Sequence, residues 1–249
     1  MVTDPSAHFP PTVETVRRYI VRKGLQPGDR FPADVALAVE LGVGMSRLRH
    51  AMRTLHQLGV VQRRRKAGTV LIHPDPSHLA AHIRFHVDLG TYTPEEIRRA
   101  RAMLEHGIAA EAARNRTSRD LLEMTVAIEA MEAAEGDYKT VNGADRDFHE
   151  AVLAAGKNPF ASLFSRVIVE GFERLPAMLR VSKGEPFRRI LSDHKEIFAS
   201  ISKQESQQAG ELMYQHIAYP QTTVDECRGS DQPIRRNKKS RTWEPFGYR

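Results

Sequence analysis

Helical stretches broken at short intervals by proline and glycine are the feature of this chain that most narrows its fold. Between residues 79 and 219 no segment sustains the apolar–polar alternation of period two that a half-buried strand requires. The breakers fall at Thr93-Pro94, Ser118, Gly143, Gly156-Lys157-Asn158-Pro159, Pro176, Gly184-Glu185-Pro186 and Gly210. Alanine-rich helices of that length bury their apolar stripes against one another. The spacing therefore predicts a mainly α protein whose C-terminal part is an antiparallel all-α bundle of six or seven helices.

The first 73 residues carry a different pattern. From Thr12, the residues Val13, Val16 and Ile20 recur at helical spacing until Gly24, and Gln26-Pro27-Gly28-Asp29 reads as a turn. A short second helix is expected from Ala33 to Leu41, with Pro32 near its start and Gly42 at its end. The third helix places Leu48, Ala51, Met52, Leu55 and Leu58 on one side, with Ser46, Arg49, His50, Arg53 and Gln57 on the other. Two β-prone runs, Val60 to Arg64 and Thr69 to Ile72, flank Arg65-Lys66-Ala67-Gly68, whose glycine suits the positive φ of a tight hairpin.

Three helices followed by a hairpin form a winged helix-turn-helix layout. Its second helix-turn-helix element enters the major groove of DNA, where arginine reads guanine edges, while a cationic hairpin holds neighbouring phosphates. Ser46, Arg49 and Arg53 are the groove-facing candidates. Arg63, Arg64, Arg65 and Lys66, with the hairpin turn at Gly68, are the backbone-contacting ones. The RRRK run taken alone reads more simply as a solvated surface; its place after three helices and before a hairpin glycine favours DNA.

Charge supports this division. Residues 1–72 carry 12 Lys/Arg against 5 Asp/Glu, residues 73–219 carry 18 against 22, and residues 220–249 carry 7 against 4. The basic ends suit a polyanion, and the acidic middle suits another task. The 249 residues suffice for two separately cored domains. Pro74-Asp75-Pro76-Ser77-His78 makes a short boundary, so the expected division is 1–73, 79–219 and a basic, disordered tail over 220–249 that includes Arg235-Arg236-Asn237-Lys238-Lys239-Ser240-Arg241. The single cysteine, Cys227, excludes a disulfide framework and a multi-cysteine zinc site, and points to a reducing cytoplasm. The N-terminus lacks the pattern of a secretory signal, and no apolar run approaches a membrane span.

Metal chemistry would then fall to histidine and carboxylate. Asp145 and His149 lie one helical turn apart, about 40° around the axis, so both can reach one ion. Asp147, only two residues from His149, would point about 200° away. His194 and His216 fall on consecutive helices separated by a bend over residues 202–210. One aspartate and three histidines suit zinc, nickel or manganese with open positions for a ligand. Spacing alone leaves open whether they are ligands or ordinary core and surface residues. A second histidine row, His78, His82 and His86, stands at the start of the first bundle helix and is disfavoured as a metal face.

Two resemblances extend these readings. The string GLQPGDRFPADVALAVELGVGMSRLRHAMRTLHQLGVVQRRRKAGTVL resembles the winged-helix domain of the GntR superfamily. Departures stand at Val35 and Met45, where that family usually has arginine, at Gly44, where it has serine or threonine, and at Arg47, where proline is common; an operator sequence does not transfer across them. Asp145-x-x-Phe148-His149, Asn158, His194 and His216, preceded by Arg101-Ala-Met-Leu-Glu105, resemble the FCD ligand-binding domain of FadR-like GntR regulators.

The second resemblance implies that the Asp and three His bind a divalent metal, zinc foremost, beside which a small carboxylate docks. It also implies that Arg101 reaches this effector and that Asn158 shapes the pocket. The plainer alternatives are an i to i+4 ion pair of Arg101 with Glu105 and a loop-forming Asn158. The expectation is a non-enzymatic, cytoplasmic regulator, a homodimer on a palindromic DNA operator, acting as a repressor under a small organic acid. The rivals are a metal-dependent hydrolase and a regulator whose metal is purely structural.

Overall fold

The computed structural model describes residues 9–73, 75–172 and 183–218. Proline and glycine frame the first helices: α1 (Pro11–Lys23) has proline in its first turn, and α2 (Asp34–Leu41) ends on Gly42. Helix α3 (Met45–Gln57) follows after two residues and buries Leu48, Ala51 and Leu55. Strands β1 (Val61–Arg64) and β2 (Gly68–Leu71) pair antiparallel with Arg64 opposite Gly68, whose φ is 74°. These elements share one core, built on Val16, Leu37, Leu48 and Ala51.

Two details of this first unit differ from the sequence reading. Leu58 caps α3 from outside the helix and is 45% exposed, so it does not extend the apolar side. The segment expected only to turn continues into residues that pair with β2: the amides of Gly28 and Phe31 donate to Leu71 and Thr69 carbonyls at 2.8 and 2.9 Å. The wing is thereby tied to the stem between α1 and α2, because β2 would otherwise leave one edge unpaired.

Among the described residues seven further helices follow: α4 (Pro76–Asp88), α5 (Pro94–Asn115), α6 (Ser118–Ala133), α7 (Tyr138–Ala155), α8 (Pro159–Phe172), α9 (Gly184–Ser202) and α10 (Ser206–Ala218). Helix α4 starts inside the expected boundary, at Pro76, where the Asp75 side chain accepts from the Ser77 amide. Thr93 with Glu96, and Thr117 with Asp120, form reciprocal caps at the starts of α5 and α6. Each pairs an orphan helix amide with a side chain, so those starts are written in short sequence.

Gly143 and Gly210 do not break helices; they lie inside α7 and α10. Gly210 is there for close packing, since a Cβ at this position would stand 3.0 Å from the His106 carbonyl oxygen of α5. Helices α5 and α10 approach through it. The bundle core is separate from the first and includes Met124, Met131, Phe148, Ile197 and Met213. Pro176 and the 220–249 tail lie outside the described residues.

Candidate functional site

Helix α7 presents Asp145 and His149 one turn apart, α9 supplies His194 and α10 supplies His216. Their ligand-capable atoms all lie within 4.8 Å of one another. His194 Nε2 is 3.1 Å from His216 Nε2 and 3.5 Å from Asp145 Oδ1. Ligands about 2.0–2.2 Å from a shared ion sit roughly 3.0–3.5 Å from their neighbours, so these spacings need little adjustment. Asp147 is exposed, as its angular position requires.

The hydrogen bonds behind the ligands orient the imidazoles. His149 Nδ1 donates to Glu105 Oε2 at 2.7 Å, and His216 Nδ1 donates to Asp193 Oδ2 at 3.2 Å. Each ring therefore keeps its Nε2 lone pair free, the arrangement in which a carboxylate fixes a metal-binding histidine. His194 is fully buried, stacked on Phe148 with ring centroids 4.3 Å apart, and its Nδ1 has no hydrogen-bond partner. A buried imidazole that leaves one nitrogen unpaired costs about 1–3 kcal/mol, which is understandable where the other nitrogen has work to do. Burial, followed by the nearby His216, His149 and Arg101, pushes the His194 pKa well below the usual histidine range. The donor set of three imidazoles and one carboxylate fits a divalent cation.

Glu105, which the sequence offers only as the partner of Arg101, is 1% exposed and joins α5, α7 and α8. Its Oε1 accepts from Arg101 Nε at 2.8 Å and from Ser165 Oγ of α8 at 2.7 Å. Burial alone would raise its pKa, but Arg101 and His149 outweigh burial and hold the carboxyl well below the ordinary range. No local pattern announces Ser165 or Asp193, because both gain their partners through helix packing. Arg101 is about a quarter exposed, and among the described residues its only hydrogen bond is through Nε, which leaves the outer guanidinium edge available. Asn158 is an exposed cap instead: its Oδ1 accepts from the Ala161 amide at 3.1 Å at the start of α8. Its side-chain oxygen is used to start a helix.

At the other end of the chain, Ser46, Arg49 and Arg53 lie on the exposed side of α3, while Arg63, Arg64, Arg65 and Lys66 are exposed on the hairpin. Arg49, Arg53, Arg63, Arg65 and Lys66 have no ion-pair partner among the described residues. On α1, by contrast, Arg17 and Lys23 are paired with Glu14 and Glu40. The unneutralised charge is concentrated where a helix-turn-helix meets DNA. The His78, His82 and His86 row forms no metal cluster among the described residues; His82 and His86 meet edge to face. None of the described helices is long and apolar enough to cross a membrane.

Comparison with known proteins agrees with this division of labour. The family of bacterial regulatory proteins called gntR matches residues 12–71, and the FCD domain matches residues 96–219. The HTH-type transcriptional regulator LutR of Bacillus subtilis is 25% identical over 197 residues, covering 78% of this chain and 90% of that protein. The Uxu operon transcriptional regulator of Escherichia coli is 29% identical over 210 residues, covering 81% and 80%. The galactonate operon transcriptional repressor of the same organism is 27% identical over 212 residues, covering 83% and 92%. A solved Streptococcus agalactiae GntR shares the fold, with a TM-score of 0.61 at 22% identity over 83% of this chain and 95% of that one. Both matched families and these relatives are regulators, which removes the hydrolase alternative. The chain belongs to the GntR family of bacterial transcription regulators, in the FadR-like group that carries an FCD domain behind the winged helix.

Proposed function

We propose that this regulator is a repressor that acts as a homodimer on an operator in the cytoplasm and responds to a small organic acid bound at a divalent metal, zinc foremost. The units are residues 1–73 for DNA and 79–219 for the effector, with the basic tail over 220–249 beyond them. Asp145, His149, His194 and His216 hold the ion, and Arg101 clamps the effector carboxylate. Ser46, Arg49 and Arg53 face bases; Arg63, Arg64, Arg65, Lys66 and Gly68 follow the phosphates.

The observation that carries this reading is the convergence of four ligand atoms from α7, α9 and α10 within 4.8 Å, with Arg101 of α5 tied through Glu105 to one of them, His149. When bound, the ion supplies a Lewis-acidic position for an oxygen of the effector. Arg101 can meet a carboxylate through parallel N–H donors, since its guanidinium lies close enough to the site to help lower the His194 pKa. A route to the DNA-binding end also exists. His78 of α4 packs directly on Gly59, behind the end of α3, and Arg84 of α4 donates to the Gly171 carbonyl of α8, the helix that holds Ser165.

Binding of the full chain to genomic DNA fragments, measured by gel shift with zinc and a panel of sugar acids and hydroxy acids, tests this. Galactonate, named for one relative, is a suitable first member. The expected effect of the right acid is roughly a 5- to 150-fold change in operator affinity. Equal affinity with and without every metal-binding carboxylate overturns the effector reading.

A further inference from the structure

The Glu105 carboxylate has two chemically different neighbours, one a candidate metal ligand and the other the candidate effector arginine. Oε2 accepts a hydrogen bond from His149 Nδ1 at 2.7 Å, while Oε1 accepts from Arg101 Nε at 2.8 Å and from Ser165 Oγ at 2.7 Å. These bonds connect α5, α7 and α8 through a single residue that is almost wholly excluded from water. Inside a protein, electrostatic interactions are less screened, and charge drawn toward one oxygen of a carboxylate is felt at the other.

We infer that Glu105 is a positioning residue shared by both halves of the sensor, so that metal binding at His149 and the anchoring of Arg101 are energetically coupled through it. This rests on the metal reading above. The Nδ1–H bond to Oε2 holds His149 in the tautomer whose Nε2 is free, and the carboxylate's charge makes that nitrogen a stronger donor. Arg101 and Ser165, bonded to Oε1, draw on the same charge. When a ligand pulls Arg101 off Oε1, more of the charge serves His149 and the ion is held more tightly. Reciprocity then requires that an ion at His149 eases the release of Arg101 toward an incoming carboxylate.

The coupling distinguishes this role from ordinary support of a histidine. In Glu105→Gln the amide oxygen can still accept from His149, but the amide N–H atoms then confront the Arg101 and Ser165 donors. Orientation of His149 survives while its carboxylate charge and the tie to Arg101 are lost.

The test is a cobalt(II) titration of the full chain, followed by visible absorption and by competition with a chelator, in four proteins: wild type, Glu105→Gln, Arg101→Met and the double variant. Circular dichroism checks that each is folded. Glu105→Gln is expected to lower cobalt affinity about 10- to 100-fold and to shift the ligand-field bands. Arg101→Met is expected to raise affinity in the wild-type background, and at least about threefold less in the Glu105→Gln background, where only the direct repulsion between guanidinium and ion is left to relieve. Equal rises in the two backgrounds overturn the shared role of Glu105 while leaving the metal reading intact. Absence of cobalt uptake by the wild type overturns the metal reading and this inference with it. Should Glu105→Gln not fold, Ser165→Ala serves as the second background. There Arg101 is the sole donor left on Oε1 and its removal raises affinity more than in wild type; an unchanged rise again overturns the proposal.

Discussion

Asp120 shows how one side chain can hold several parts of the bundle. Its carboxylate accepts from the Thr117 amide at 2.7 Å, closing the cap of α6, and takes Lys157 Nζ at 2.7 and 2.8 Å from the turn between α7 and α8. Burial raises its pKa, but Lys157 and the Thr117 bonds outweigh burial and lower it overall. A depressed folded value places the stabilisation above the ordinary aspartate pKa of about 3.9, and it fades as pH falls through the folded value. Asp120→Asn is expected to cost about 1 kcal/mol at neutral pH, with the gap between the two proteins closing in urea melts below about pH 4. A gap that is constant from pH 7 to pH 3 would show that the charge is not involved. The cap was readable as a Thr-x-x-Asp spacing; the Lys157 contact was not, because 37 residues separate the pair.

At the scale of elements, the proposed reading divides DNA recognition between α3 and the hairpin. Arg49 stands on the exposed side of α3, whereas Arg65 sits in the turn between β1 and β2. Arg49→Ala is expected to cost about 1–3 kcal/mol on the preferred operator and to relax its sequence preference. Arg65→Ala should weaken all sequences similarly and flatten the plot of log affinity against log salt by about 0.9. Fluorescence anisotropy over a salt series, with specific and scrambled duplexes, separates the two; identical profiles for both variants would contradict this assignment. The period of 3.6 and the hairpin glycine made these elements legible, since an amphipathic helix and a tight turn are local decisions. Gly210 departs from its local signal for a related reason. Glycine ends a helix in isolation, but inside α10 it permits the close approach of α5, and only the partner helix reveals that use.

For the whole molecule, an ion shared by α7, α9 and α10 would bind the folded chain far better than the unfolded one. At a free zinc level about 100 times the dissociation constant, stabilisation reaches about 2.7 kcal/mol, so zinc should raise Tm by roughly 5–10 °C in a chelator-washed sample. Calorimetry of His194→Ala is the control, and an equal rise in that variant would place the stabilising ion elsewhere. The amino-acid sequence by itself determined the helices and the wing, because periodicity and turn chemistry are properties of short segments, and the resemblance to the FCD domain singled out Asp145, His149, His194 and His216 as candidate ligands. It also identified the exposed cationic side of α3. Tertiary structure decided what stands behind those residues. It turned the Arg101–Glu105 spacing from a surface ion pair into a buried junction with His149 and Ser165, joined Asp193 to His216, and gave Asn158 to a helix cap. Such contacts join residues distant in the chain, and their strength comes from burial, which no short stretch of sequence controls.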